Sequence, residues 1–457
     1  MRYIANTPAD RAAMLEAIGL ASTADLFTDI PAHLRQPAID LPAPLTEPEA
    51  ARLLRALSAQ NLDLTDRPCF LGAGAYRHWI PSVVGHVIGR AEFYTSYTPY
   101  QPEVSQGTLQ TIYEYQSLVC LLTGMDAANA SHYDGATALA EAIAMAAHIT
   151  GRSRAVVAPA LHPEYRQVAR TYLQGRDLTI VEPPLSENGQ PQPTFTPDRA
   201  AAYLDESVAC LVVQQPNFFG CLEDVAGLAA AAHRVGALCI VSVYPIALGL
   251  LKPPGDLGAD IVVGEGQSLG LPLSYGGPYL GLFACRERYL RQMPGRIVGQ
   301  TVDVEGRRGF VLTLQAREQH IRRERATSNI CTNQALCALA ATVYLTALGP
   351  QGLREVARLC VQKAHYLAER VTSLPGFRLA FSAPFFNEFV VRCPVPPVAL
   401  NRRLRAAGII GGYPLGRHFP DLADGWLLCA TELTTREDIE RLVEALTTIG
   451  ATTPARP

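Results

Sequence analysis

Four stretches of the chain carry residue types that could do chemistry. The first, residues 260–281, reads DIVVGEGQSLGLPLSYGGPYLG, in which a β-branched run breaks into Gly264, Glu265, Gly266, Gln267 and Ser268. Such a break is expected at the carboxyl end of a buried strand, where an open α/β sheet places its chemistry. A lysine there would offer a nucleophilic amine, whereas the neutral amide of Gln267 forms no carbonyl adduct. The second stretch, FYTSYTPYQPEVSQG over 93–107, gathers Tyr94, Tyr97 and Tyr100 with Glu103, Ser105 and Gln106. It reads as a long loop without periodicity, and its aromatic and polar groups converge before a helix, as in a binding wall. In the third, His132, Asp134 and Gly135 precede an alanine-rich helix, whose first N–H groups would suit an anion; an ordinary Asp N-cap explains Asp134 equally well. The fourth, RRERATSNICTNQ over 322–334, presents Arg325, Thr327, Ser328 and Asn329. These are donors for an anionic group, or else the cap of the helix that follows.

The surrounding pattern must position these stretches. Strands are expected over 154–158, 179–182, 209–214, 237–243, 260–263 and 279–284, with helices over 107–123, 136–149, 164–174, 197–204 and 225–235. Strands separated by helices imply right-handed crossovers and a mainly parallel sheet. Ahead of them, Thr7 with Pro8 and Asp10, and Thr46 with Pro48 and Glu49, are N-terminal caps for two arm helices ending near Ile18 and Leu57. Beyond residue 317 a basic segment leads into a long apolar helix. Helices over 351–372 and 398–407 then alternate with strands over 389–392 and 426–430, and Thr434 with Glu437 forms a capping box for a last helix through Leu446. The organisation expected is a helical arm over 1–65, a large mostly parallel α/β domain over 66–340 and a small C-terminal α+β domain over 341–457.

Composition narrows the function further. At 457 residues, 48% hydrophobic and 18% charged, the chain is globular and long enough for more than one packed unit. A formal net charge of -3 argues against nucleic acid or an anionic membrane surface as partner. No signal-like segment opens the chain, so the cytosol is expected. Eleven cysteines without a C-x-x-C pair read as buried hydrophobes of a reducing compartment, and no metal site is expected. Among 39 Lys and Arg residues, only Lys252 and Lys363 are lysines. Neither lies where a strand-end amine is needed.

The arm, large domain and small domain together resemble the fold type I pyridoxal-phosphate enzymes, the aminotransferase-like group. The motifs FYTSYTPYQPEVSQG, NASHYDGATALAEA, PPGDLGADIVVGEGQSLGLPLSYGGPYLG and RRERATSNICTNQ are similar to those of the P-protein family of the glycine cleavage system, in particular its N-terminal half. The resemblance covers nearly the whole chain. It implies that the coenzyme lysine belongs to the other half, and that Gln267 stands at the vacated Schiff-base position. A second anchor of the fold class, an aspartate on the preceding strand, is also missing, since residues 236–255 contain no carboxylate. The family's reaction is decarboxylation of glycine with transfer of the aminomethyl group to the lipoyl arm of H-protein. The resemblance therefore implies a subunit that holds no pyridoxal phosphate of its own and completes the active site of a homologous, lysine-bearing beta subunit in a dimer or a pair of dimers. Tyr94, Tyr97, Tyr100, Glu103, Ser105 and Gln106 would then face the partner's substrate. Arg325, Thr327, Ser328 and Asn329, the last three beginning sixty residues after Gln267, would contact the cofactor phosphate across the interface. His132 occupies the place of a ring-stacking residue. A protein that kept the fold and works as a scaffold without a catalytic partner is the alternative.

Overall fold

The computed structural model describes residues 5–35, 40–64 and 67–451. Two compact units are present, Met1–Asp63 and Leu64–Pro457. In the first, helices α1 (Pro8–Ala17) and α2 (Glu47–Ser58) open as expected. The N–H of Asp10 donates to the hydroxyl of Thr7 at 3.2 Å and the Asp10 carboxylate answers Thr7 N–H at 2.7 Å; Glu49 accepts from Thr46 N–H at 2.9 Å. Neither helix buries a residue, and Leu53, Leu54 and Leu57 of α2 stand exposed.

The second unit is built on a seven-stranded sheet. In chain order its elements are α3 (Gln106–Thr123), β1 (Ala127–Ala128), α4 (Gly135–Thr150), β2 (Arg154–Val157), α5 (Pro163–Leu173), β3 (Thr179–Val181), β4 (Val208–Gln215), α6 (Val225–Arg234), β5 (Leu238–Val243), β6 (Ile261–Glu265) and β7 (Gly281–Cys285). The strands run in the order β1-β7-β6-β5-β4-β2-β3. Strands β2 to β6 pair in parallel, and β7 pairs antiparallel with both β6 and β1. The sequences VACLVVQQ, LCIVSV and IVVGE are apolar on both faces because both faces are covered, as parallel sheets require. Val241, Val262 and Leu282 pack on one side; Ile240, Ile261, Val263 and Phe283 pack on the other, against the alanines of α4. Small side chains let α4 lie close over the sheet, so its N-terminus sits at the edge where β6 ends.

A hairpin of β8 (Ile297–Val302) and β9 (Arg308–Thr313) follows, unexpected from the sequence because polar and apolar residues are mixed along both strands. Then come α7 (Ala335–Thr372), β10 (Arg378–Leu379), β11 (Glu388–Arg392), α8 (Pro397–Ala406), β12 (Tyr413–Pro414), β13 (Gly425–Cys429) and α9 (Arg436–Ala451). The second sheet is antiparallel, in the order β10-β11-β13-β12. Helix α7 is broken at Gly349, whose left-handed φ of 62° precedes Pro350. The boundary expected at 340/341 falls inside this helix. By length and apolar composition α7 could cross a membrane, yet Ala338, Ala340, Ala341 and Tyr344 are buried in the main core.

Three expectations are corrected. The loop expected over 93–107 begins inside a short helix, Ala91–Tyr94, and holds a 3-10 turn, Pro102–Val104, both too short to produce periodicity. The helix expected over 197–204 stops at Ala201. The last helix is capped by Thr435 and Asp438, since the hydroxyl of Thr434 instead accepts from Thr431 N–H at 3.1 Å. Trp426 is fully buried in the second core, with its indole N–H on Asn401 at 3.1 Å. Trp426→Ala should cost about 3–5 kcal/mol in chemical denaturation, the range for emptying such a position.

Candidate functional site

At the end of β6, Gln267 is buried and every polar atom of its amide is used. Its Oε1 accepts from Tyr76 N–H at 2.8 Å, and its Nε2 donates to the carbonyls of Tyr76 and Leu271, each at 2.9 Å. Two residues earlier, Glu265 gathers three backbone donors: Gly135 at 2.9 Å, Gln267 at 2.9 Å and Leu280 at 3.1 Å. Burial pushes the Glu265 carboxyl up to about 8, against the opposing pull of those N–H groups. The N-terminus of α4, read from the sequence as either an anion site or an ordinary Asp cap, is thus filled from within. Asp134 caps Thr137 N–H at 2.7 Å, and a Cβ on Gly135 would lie 2.7 Å from the Tyr165 hydroxyl and 2.9 Å from the Glu265 nitrogen. His132 is fully buried and stacks on Phe283 with ring centroids 5.0 Å apart. Neither of its ring nitrogens has a partner among the described residues, and burial lowers its pKa to about 3, so it packs as a neutral ring.

Beside this strand end, Tyr76 and Tyr244 pack with tilted rings, centroids 4.4 Å apart, and the Tyr76 hydroxyl donates to Glu388 at 2.7 Å. His78 bridges the Tyr244 hydroxyl and Glu432, the latter at 2.6 Å. His78, Cys360 and Glu432 offer ligand atoms within 4.8 Å of one another, but the His–Glu distance is that of a hydrogen bond and Lys363 donates to the carbonyl of Glu432. The three side chains are satisfied by each other rather than arranged for a cation.

The second and fourth stretches meet elsewhere. Tyr100, Arg296 and residues 318–320, 323–324 and 330–331 line one open cavity of about 660 Å³, whereas Arg325, Thr327, Ser328 and Asn329 are not among its lining residues. Tyr94 and Tyr97 are exposed, at 68% and 80%, and Glu103 is exposed beside them. Arg325 and Asn329 are exposed and Thr327 is half-buried. Two residues from the same stretches point inward instead. Gln106 clamps the loop to the hairpin, donating to the carbonyls of Pro102 and Phe310 at 2.8 and 2.9 Å and accepting Phe310 N–H at 2.8 Å. Ser328 is buried, its hydroxyl accepting Ile330 N–H at 3.1 Å within a local turn; it does not cap the helix that follows, which starts after Gln334. Ser105, half-buried at the start of α3, accepts Leu109 N–H through its carbonyl at 2.9 Å. Sequence reasoning missed Arg296, Glu318 and Asn333; one arginine among so many carries no local signal.

A mainly parallel seven-stranded sheet with β7 reversed, followed by a small antiparallel sheet, defines the class: this is a fold type I pyridoxal-phosphate-dependent architecture. The sphingosine-1-phosphate lyase of Burkholderia pseudomallei has the same fold, with a TM-score of 0.65 at 16% identity over 92% of this chain and 94% of its own. The particular family follows from closer relatives. The family model described as glycine cleavage system P-protein matches residues 1–446. A protein of Thermomicrobium roseum named probable glycine dehydrogenase (decarboxylating) subunit 1 is 58% identical over 98% of this chain and 99% of its own length. The crystal structure of a glycine decarboxylase (P-protein) of the glycine cleavage system, in inhibitor-bound form, superposes with a TM-score of 0.90 at 48% identity, covering 98% of this chain and 100% of that one. The chain belongs to the glycine cleavage system P-protein family.

Pyridoxal phosphate is the group this class of fold implies, and the residues at the end of β6 do not fit it. An amide replaces the amine, Ser242 and Val243 close β5 without a carboxylate, and Glu265 fills the phosphate cradle. The cavity among Gly74, Tyr76, His162, Tyr244, Glu265 and Gln267 is about 20 Å³, room for about one water molecule. Lys363 is committed to Glu432 and Lys252 is exposed in the turn after residue 249.

Restoring the amine alone should therefore not restore the site. Gln267→Lys is expected to show no absorbance of a lysine-bound cofactor when incubated with pyridoxal phosphate, and to lower the thermal midpoint, because it buries an amine beside backbone groups it cannot satisfy. Glu265 gives a pH signature. Its folded pKa lies above its unfolded one, so the folded state holds the proton to higher pH and its contribution to stability falls as pH rises from about 4.5 to about 8. Thermal midpoints of Glu265→Gln measured across that window should lose this downward slope relative to wild type.

Proposed function

We propose that this chain is the lysine-less subunit of a two-chain glycine dehydrogenase (decarboxylating). In this reading glycine loses CO2 and its aminomethyl group passes to the lipoyl arm of H-protein, on pyridoxal phosphate held by a homologous lysine-bearing partner. One observation carries the proposal: the chain matches the full length of a relative named subunit 1, while its own strand-end site is closed by Gln267 and Glu265. The cofactor supplies the electron sink. This chain supplies walls that bind, orient and exclude water.

The exposed tyrosines support that role. Tyr94 and Tyr97 are exposed on a loop that Gln106 pins to β9, and Tyr100 turns its hydroxyl to Arg296 in the cavity, so the loop forms a rigid amphipathic surface. Arg325, Thr327 and Asn329 lie between the wall residues Glu324 and Ile330 of the same cavity and would reach the partner's cofactor phosphate, while Ser328 holds the turn that presents them. Glu103 and Ser105 stand at the base of the loop. All eleven cysteines are free, which suits a reducing cytosol.

Purified alone with pyridoxal phosphate, the chain should show no lysine-bound cofactor absorbance; mixed with its partner subunit, the complex should. Absorbance from the chain alone would refute the subunit assignment. In the reconstituted pair, Tyr97→Phe and Asn329→Ala should each lower the rate of CO2 release from glycine by roughly tenfold, the loss of one charge-assisted or positioning hydrogen bond. Unchanged rates in both variants would remove these residues from the partner's site.

A further inference from the structure

Arg296, immediately before β8, is the buried cation among the residues lining the large cavity. Its backbone is fixed, since its carbonyl accepts Ala130 N–H at 2.8 Å. The side chain is 6% exposed, yet its hydrogen bonds are few and long: Nη1 to Asn333 Oδ1 and Nη2 to Tyr100 Oη, both 3.3 Å. Nε is buried with no hydrogen bond among the described residues, and the nearest carboxylate oxygen, Glu318 Oε2, stands 3.9 Å away. A buried guanidinium ordinarily uses its planar fork on a bidentate acceptor, and leaving donors unmade is costly. Arg296 lines the cavity bounded by Tyr100, Glu318, His320, Arg323 and Ile330, with its Nε turned toward Glu318 and shielded from solvent. Arg323 adds a second sign of function. Its backbone has φ 55° and ψ -126°, a left-handed combination that favours glycine, and such strain collects at working walls.

We propose that this cavity is a carboxylate receptor, in which the Nε edge of Arg296 takes the carboxylate of a small amino acid and Glu318 is a resident counter-ion that yields to it. His320 Nδ1 lies 3.7 Å from the same Glu318 oxygen, so the displaced carboxylate has a second partner. Arg296 and Arg323 are balanced by Glu318 and Glu324, which suits a zwitterionic amino acid and leaves little attraction for a phosphate dianion; glycinamide offers the fork no carboxylate. The identity of the amino acid as glycine rests on the function proposed above; the receptor chemistry does not.

The test is calorimetric titration of glycine, glycinamide and inorganic phosphate into the full chain and into the chain paired with its partner subunit, using wild type, Arg296→Lys and Glu318→Gln. Glycine should bind and glycinamide should not. Arg296→Lys should weaken glycine by roughly tenfold or more, since a point charge cannot replace the fork, and Glu318→Gln should tighten it by removing the competitor. The two comparisons that need no change at Arg296, glycine against glycinamide and wild type against Glu318→Gln, hold even if Arg296→Lys folds poorly. The receptor is overturned if no glycine binding is seen in chain or pair, if phosphate binds more tightly than glycine, or if Glu318→Gln binds glycine no better than wild type. In the pair, CO2 release with a glycine KM unmoved by Arg296→Lys would overturn the receptor while the proposed function stands. Glycine bound through Arg296 with no CO2 released would sink the function while the receptor stands.

Discussion

Two side chains at the end of β6 hold together stretches of chain far apart in sequence. The Glu265 carboxylate ties the start of α4, the turn after β6 and the start of β7, through Gly135, Gln267 and Leu280. The Gln267 amide ties Tyr76 and Leu271 to the same point. Tyr76 in turn reaches β11 through Glu388, which also accepts Ala73 N–H at 2.6 Å. In a buried place each of these bonds matters more for what its absence would cost than for its net gain. The carboxyl ends of the parallel strands, where this class of fold ordinarily keeps a ligand, have become a structural joint.

That joint explains why the open chemistry lies to one side. With the strand-end space reduced to about 20 Å³, the large concavity is the one bordered by Tyr100, Arg296 and the segment after Glu318. Its walls come from elements that the joint fixes indirectly. The turn over 129–131 is bonded to β8 through Ala130 and Arg296, and to the approach of α7 through Ser131, Asn333 and Gln334. The hairpin is bonded to the tyrosine loop through Gln106. Rigid backing with exposed aromatic tips is the arrangement of a surface that meets another molecule without reorganising.

Features that depend on local pattern were legible in the sequence. The β-branched runs became β4, β5 and β6 nearly as drawn, because burial on both faces leaves a continuous apolar signature. Gln267 stood out because a single letter at a strand end decides whether an amine is present, and the missing aspartate could be read the same way. The sequence was silent where direction matters. Gln106 and Ser328 have the chemistry of ligand contacts but spend it on Phe310 and Ile330, which only the fold reveals. Glu265 looked like part of a turn, since the donors that converge on its carboxyl come from residues 135, 267 and 280. Arg296 is important through its surroundings, and its neighbours in sequence do not announce them.

Helix α7 belongs to two cores at once. Ala338, Tyr344, Leu353 and Cys360 pack into the cluster beneath the seven-stranded sheet, whereas Ala364, Leu367 and Val371 pack with Trp426 and Phe389 of the antiparallel sheet. Gly349 and Pro350 bend it between α3 and the 3-10 turn after β5, so that one helix can serve both. Neither sheet can melt without stripping part of the shared helix from the other. The shared helix thereby couples the unfolding of the two cores.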